Sequence, residues 1–139
     1  MSILRHVPFL GVLLVLYIII AFVPATSHSF SSDITFVQFT LPRAASPVQL
    51  HVGEVFAMIG IIFLYFEVVK ATNTGRDTLV DHVLSVGVLV ACIVLFLLTS
   101  FAATSSFLIL TLLSVVDVIG GFAITFAASR RDISIGGHN

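Results

Sequence analysis

The stretch FLILTLLSVVDVIGGFAITFAA, residues 107–128, decides the fold of this chain. It is long enough to cross a bilayer, which takes about 20 mostly apolar residues. One charged residue, Asp117, lies near its centre. A carboxylate at the middle of a membrane helix costs about 2.5 to 3.5 kcal/mol on insertion scales. The stretch therefore predicts a transmembrane helix in which an acidic side chain has a specific role.

The whole chain has the composition of an integral membrane protein. Hydrophobic residues make up 58% of it and charged residues only 9%, with a mean hydropathy of +1.18. Soluble domains are about one quarter charged. A net charge of -1 argues against a nucleic-acid partner, since such binding depends on clustered Lys and Arg. The single cysteine, Cys92, excludes an intramolecular disulfide and any cysteine-based metal cluster. The lipid bilayer is the first expected partner.

Four stretches reach transmembrane length, at about residues 7–23, 52–69, 83–103 and 107–128. Backbone amides in hydrocarbon must be hydrogen-bonded within the protein, and apolar runs of this length achieve that as helices. The sequence therefore predicts an all-α integral membrane protein, residues 1–139, with a single domain of four transmembrane helices.

The predicted connections differ greatly in length. A loop of about 27 residues, 24–50, joins the first two helices, and a polar turn over residues 70–81 joins the next two. Only Thr104, Ser105 and Ser106 are left to join the third helix to the fourth. So short a link forces a tight antiparallel hairpin, and Ser105 or Ser106 is expected to cap the fourth helix.

The distribution of basic residues predicts the orientation. Cytoplasmic flanks of membrane helices carry the excess of Lys and Arg. With four spans, five basic residues fall on one side, and only Arg43 falls on the other. We therefore expect both termini in the cytoplasm, and the small, simple chain suggests a bacterial inner membrane. The five residues are Arg5, Lys70, Arg76, Arg130 and Arg131.

An alternative topology follows if the first helix is a secretory signal. Arg5 precedes a long apolar run, and Val23-Pro24-Ala25 offers small residues suited to cleavage after Ala25. Cleavage there would leave three helices. The apolar run is long for a signal peptide, so we favour four retained helices.

The long loop contains one organised segment, Asp33–Leu41. Its apolar residues alternate with polar ones, with a shift of phase at Val37. That pattern predicts a short strand with a bulge, or an extended segment at the membrane interface. Its apolar side chains would lie in the headgroup region or dock to another subunit.

Small and polar residues recur at spacings of three and four on three of the helices. Such faces let helix backbones approach closely, and polar groups among them hydrogen-bond across the interface. We expect helices two, three and four to share a tight interface, with helix one peripheral. The residues are Thr111, Ser114, Asp117, Gly121, Thr125 and Ala128 on helix four; Gly53, Ala57, Gly60, Leu64 and Glu67 on helix two; and Ser85, Gly87, Ala91, Cys92 and Thr99 on helix three.

The partner of Asp117 is the main question that the sequence raises. No Lys, Arg or His is expected at its depth, and an isolated carboxylate in hydrocarbon takes up a proton. We expect a neutral Asp117 that donates a hydrogen bond to a neighbouring helix. Two alternatives are a basic residue of a partner subunit, and an ion relay formed by Asp117 with Glu54 and Glu67.

Glu54 and Glu67 are expected about one turn from the two ends of helix two, where water can be reached. Glu67 is predicted to pair with Lys70 and Arg76. Glu54 lies three residues after His51.

Metal and haem sites are both disfavoured, and no cofactor is expected. His51, Glu54, His28 and Asp33 are metal-ligand types, but they form no compact motif. The histidines outside the tail are predicted at opposite ends of the bundle, which argues against axial haem ligation.

Two functions from different classes remain. The sequence contains no phosphate-binding loop, metalloprotease motif or nucleophile elbow, so we do not expect an enzyme. The first hypothesis is a non-enzymatic accessory, assembly or regulatory subunit that binds other membrane protein subunits or itself. The second is a small oligomeric proton- or cation-coupled transporter or channel that uses Asp117.

Overall fold

A computed structural model describes residues 7–23, 30, 35–43, 46–72 and 78–135. Four helices dominate it, together with one hairpin of two strands. Arg5, His6, Ala25, His28, Asp33 and Arg76 lie outside the described residues, as do the side chains of Ala128, Arg130 and Arg131. The elements are α1 (Phe9–Phe22), β1 (Thr35–Phe39), β2 (Val48–His51), α2 (Val52–Ala71), α3 (Thr78–Leu98), a 3₁₀ turn (Ser100–Ala102) and α4 (Ser105–Ile135).

Three of the helices are long and apolar enough to cross a membrane: Val52–Ala71, Val80–Leu98 and Ser105–Ala127. The prediction of a mostly helical chain with long apolar helices that could span a membrane is therefore confirmed. α1 has 14 residues, fewer than predicted, and at 1.5 Å per residue it is about 21 Å long, against about 30 Å for the hydrocarbon core. The four-span topology and its orientation stay predictions.

The connection between α3 and α4 is longer than predicted. α3 ends at Leu98 instead of residue 103, and the 3₁₀ turn lies within the link. Capping by Ser105 or Ser106 was also the wrong expectation. Thr104 caps α4, because the Phe107 amide donates to Thr104 Oγ1 at 3.1 Å. α3 and α4 are nevertheless antiparallel, since Cys92 meets Ser114 while His82 meets Gly121.

The strand predicted in the long loop is present, with its bulge. β1 pairs antiparallel with β2, and the register shifts between Thr35, opposite His51, and Val37, opposite Leu50. Phe36 is the extra residue, which explains the change of phase in the sequence. The partner strand β2 was not predicted. It passes directly into α2 at Val52.

The first helix is not peripheral, contrary to expectation. It buries Leu10, Leu13, Leu14 and Tyr17, which pack with residues from the other three helices. The sequence of this helix carries no polar stripe, and the buried side chains are apolar apart from the Tyr17 hydroxyl.

An aromatic core fills the bundle near the hairpin. Tyr17 stacks on Phe30 with ring centroids 4.2 Å apart. Phe56 and Phe107 meet Tyr17 edge-on at 5.5 and 4.9 Å. Aromatic pairs in these geometries stabilise the packing beyond their buried area. These four residues are called the aromatic core below.

The Tyr17 hydroxyl ties α1 to the α3–α4 link. It lies 3.1 Å from the Phe101 carbonyl oxygen, to which it donates, and 2.7 Å from Thr104 Oγ1. With Tyr17 donating to Phe101, the Thr104 hydroxyl donates to Tyr17 and accepts from the Phe107 amide. Each of these polar groups is therefore satisfied in an apolar region.

We expect Tyr17→Phe to lower the free energy of unfolding by about 1 kcal/mol, because buried hydrogen-bonding groups lose their partner. Thermal unfolding in detergent, followed by circular dichroism, measures the effect. Tyr65→Phe is the matched control, since Tyr65 is 64% exposed and is the chain's other tyrosine. Equal midpoints for the two variants would contradict a stabilising role for the Tyr17 hydroxyl.

Candidate functional site

Six charged or polar residues from three helices line one small cavity, which has a volume of about 30 Å³ and whose lining is completed by Ala71, Gly121 and Thr125. Two come from α2, three from α3 and one from α4. Since a single water needs about 10–15 Å³ by this kind of measure, the cavity accommodates a water-sized molecule. These residues, called the polar cluster below, are Glu67, Lys70, Asp81, His82, Ser85 and Asp117.

Helical spacing and the antiparallel packing of α3 and α4 bring the polar cluster together. Glu67 and Lys70 are three residues apart on α2, and His82 and Ser85 are three apart on α3, so each pair shares a helix face. The contacts from Cys92 to Ser114 and from His82 to Gly121 set the register. This register places the middle of α4 beside the first turns of α3.

Asp117 finds its partners within its own chain. It is 7% exposed, and the Ser85 hydroxyl donates a hydrogen bond to its carboxylate. His82 and Lys70 are close enough to interact electrostatically with it. The expectation that no basic residue lies near Asp117 was therefore wrong. It assumed that residues near the helix ends stay in the headgroup zone, whereas His82 and Lys70 extend into the bundle.

Glu67 is buried more deeply than predicted, with an exposed fraction of only 5%. Its Oε2 accepts a hydrogen bond from the Phe9 amide at 3.0 Å, and its Oε1 lies 3.9 Å from the Lys70 ammonium. Phe9 is the first residue of α1, where an unpaired amide and the helix dipole both favour a carboxylate. The predicted pairing with Lys70 is present, and the second role, capping α1, was not foreseen.

Lys70 joins three parts of the chain. Its ammonium lies 3.4 Å from Asp81 Oδ2 on α3 and 3.4 Å from the Val7 carbonyl oxygen before α1. Together with Glu67 on its own helix, these contacts supply a buried cation with oxygen partners on several sides. Buried charges persist only when they are paired in this way.

His82 enters the bundle because α4 has a glycine at the contact. Its ring lies against Gly121, where a Cβ would overlap Cε1 and Nδ1. The ring also meets Phe122 edge-on at a centroid distance of 4.1 Å. His82 Nε2 and Asp81 Oδ1 are buried and have no hydrogen-bond partner among the described residues.

The other predicted packing residues lie at positions suited to helix packing. Ser114 and Thr125 donate to carbonyl oxygens of their own helix, at 3.0 and 2.9 Å. Cys92 Sγ lies 3.8 Å from Ser114 Oγ. Gly60 faces Leu113, whose Cδ1 would lie 2.7 Å from an added Cβ. These contacts fit a packing role.

The three carboxylates of the predicted ion relay are not together. Glu67 and Asp117 line the same cavity. Glu54 lies at the other end of α2, with its side chain 53% exposed. There its Oε2 accepts from the His51 amide at 2.9 Å and lies 3.6 Å from His51 Nδ1. Within the described parts of the chain, no three His, Cys, Asp or Glu residues are arranged to hold a metal ion.

We expect Gly121→Ala to destabilise the bundle by about 1–3 kcal/mol, because the added methyl displaces the His82 ring. Gly120→Ala is the matched control, since nothing lies within 4 Å of a Cβ there. This control should gain up to about 1 kcal/mol of helix propensity. Thermal unfolding of both variants in detergent distinguishes them. An undiminished midpoint for Gly121→Ala would mean that the contact with His82 does not require glycine at this position.

Comparison of the chain with known protein families, with curated proteins and with solved structures finds no match. A function therefore has to follow from the geometry and chemistry of the chain itself.

Proposed function

We propose that this chain is a small, non-enzymatic accessory, assembly or regulatory subunit of a membrane complex. It has four membrane-crossing helices, with both termini in the cytoplasm, and the membrane is a bacterial inner membrane. The proposal rests chiefly on the outer surface of the bundle, which stays apolar and includes glycines open to a close neighbour.

Four spans are favoured by the course of α1. At its start, Phe9 packs beside Phe63 and Phe66, with ring centroids at 5.9 and 6.2 Å. At its end, Phe22 packs beside Phe101 at 5.0 Å. α1 therefore runs alongside the other helices from one end of the bundle to the other. Its shortness is compatible with a span, because a bilayer can thin locally around a short helix.

The two ends of the bundle differ in charge. Lys70 lies at the carboxyl end of α2, and α4 continues past the same end towards Arg130 and Arg131. Arg43 lies in the turn between β1 and β2, at the opposite end. The excess of basic residues supports a cytoplasmic location for the end that carries the polar cluster.

The outward surface favours a partner. Large apolar side chains on α3 and α4 remain exposed after the bundle has formed, among them Val90, Leu97, Val116 and Ile119. Contact with lipid is sufficient to cover such an apolar surface. Gly87, however, lies on α3 with nothing within 4 Å of an added Cβ. Small residues on membrane helices are typical of sites where another helix approaches.

The interior of the bundle favours an accessory subunit over a transporter or channel. Between the polar cluster and the hairpin, the bundle is filled by the aromatic core and by Leu10, Leu13 and Leu110. A pathway for ions requires polar groups or water through the full thickness of the membrane. Among the described residues, the buried charged groups lie at one end, and the Thr111 and Ser114 hydroxyls between them and the hairpin donate to carbonyl oxygens of their own helix.

We expect Gly87→Leu to reduce recovery of a partner subunit by about tenfold, which corresponds to about 1.4 kcal/mol of binding energy. The added side chain blocks close helix approach, yet nothing in the bundle opposes it. Co-purification in mild detergent with quantitative mass spectrometry measures the recovery. Thermal unfolding of the free chain should show no loss of stability, since leucine is the better helix former.

Val15→Leu is the matched control, because Val15 is exposed on α1 and the change adds bulk to a different face. The proposal is supported by one partner that survives in Val15→Leu and is lost in Gly87→Leu. Recovery of the chain alone in wild type, or the same loss in both variants, contradicts it.

The second candidate is a proton- or cation-coupled transporter, and the cavity beside Asp117 is the observation that favours it. On this view, wild-type protein in sealed vesicles dissipates an imposed pH gradient and Asp117→Asn does not. On the accessory view, Asp117→Asn assembles and functions nearly as wild type does, because asparagine keeps the size of the side chain and its ability to hydrogen-bond to Ser85. A well-assembled but inactive Asp117→Asn variant would favour transport.

A further inference from the structure

The polar cluster has more acidic than basic groups. Among the described residues that line its cavity there are three carboxyl groups, on Glu67, Asp81 and Asp117, and two basic groups, on Lys70 and His82. If all five were ionised, one negative charge would remain uncompensated inside the bundle. An unpaired charge in such a place is far more costly than a neutral acid.

Geometry indicates where the charge is balanced. Lys70 pairs with Glu67 and Asp81, at 3.9 and 3.4 Å. Asp117 has the Ser85 hydroxyl as its hydrogen-bond partner and interacts electrostatically with both His82 and Lys70. One ammonium cannot balance two carboxylates, so one further proton makes the cluster neutral, and Asp117 is the acidic group of the cluster for which no ion pair is found among the described residues.

Asp117 and His82 share a water-sized cavity with Lys70 and Asp81. His82 Nε2 and Asp81 Oδ1 are buried atoms without a protein partner among the described residues, and both residues line the cavity. Water in the cavity would supply the hydrogen bond that each atom needs. Asp117 is buried, whereas the Lys70 and Asp81 side chains are partly exposed.

We infer that Asp117, Ser85 and His82 form a proton-binding site that exchanges its proton, through water in the cavity, with the side of the membrane where Lys70 and Asp81 lie. Transfer of the proton from the Asp117 carboxyl to the His82 imidazole leaves a carboxylate beside an imidazolium, so the net charge of the pair is unchanged. Release of the proton to cavity water leaves the pair with one negative charge. Ser85 positions the carboxylate, and Gly121 makes room for the imidazole.

This site does not depend on which of the two functions holds. In an accessory subunit the site would add a pH dependence that assembly itself does not require, and in a transporter it would load protons. The charged and titratable groups that face it are Glu67 and Lys70 from α2 and Asp81 from α3. At the start of α1 the Phe9 amide donates to Glu67, and the Val7 carbonyl just before the helix accepts from Lys70.

Infrared spectroscopy of the full chain in lipid nanodiscs tests the inference directly. With ¹³C in the aspartate side-chain carboxyl, a protonated acid gives a carbonyl band that a carboxylate lacks. We expect this band to disappear as the pH is raised, because release of the proton leaves a carboxylate. It should be absent from Asp117→Asn and retained in Glu54→Gln, the control, whose carboxylate is exposed at the other end of α2. In D₂O the band should shift at once, because the cavity exchanges with water.

A second measurement needs no variant of Asp117. Nitrogen NMR of ¹⁵N-histidine protein, with the His82 signal assigned by its loss in His82→Gln, reports the protonation of the imidazole. In wild type, this signal should respond when the carbonyl band disappears, because the imidazole and the carboxyl group line the same cavity. The inference is overturned by an aspartate spectrum that stays constant over the whole pH range. It is also overturned by a titrating band that persists in Asp117→Asn, or by a band that fails to shift in D₂O.

Discussion

The Lys70 ammonium holds one end of this bundle together. It faces Glu67 on its own helix, Asp81 on α3 and the Val7 carbonyl before α1. A buried charge is tolerated only when oxygen atoms surround it, so the positions of these three elements depend on one another. The packing of α4 then follows, since His82, one residue after Asp81, rests on Gly121. Removal of one partner of such a group leaves the others as uncompensated charges.

Much of the fold follows from apolar length and turn chemistry alone. The helices that pack through small residues, α2, α3 and α4, were predicted from Gly60, Ser114 and similar positions at spacings of three and four. The strand with its bulge was predicted from one change of phase at Val37, because alternation on a pleated strand changes only when a residue is inserted. These features are local in the sequence, and local patterns were sufficient to find them.

Only part of the polar cluster was predicted, because local sequence patterns do not show at which positions two helices meet. Asp117 and Glu67 were found because a charge inside an apolar run is conspicuous. Asp81, His82 and Ser85 were assigned to a helix start or a packing face, since each has an ordinary explanation there. Their meeting with Asp117 depends on how far α3 extends and on its register against α4, and the sequence placed the start of α3 five residues too late. The burial of α1 was not predicted either, because a helix that is apolar on all sides does not show which face packs against its neighbours.

The direct passage from β2 into α2 at His51 and Val52 has a mechanical consequence. No loop separates the strand from the helix, and the Glu54 carboxylate fixes the junction by accepting from the His51 amide. We therefore expect the hairpin and α2 to move as one unit. A rotation of α2 about its axis would swing the hairpin at one end of the bundle and displace Glu67 and Lys70 at the other. Force applied to the two-stranded sheet would thus be transmitted along a single helix to the start of α1.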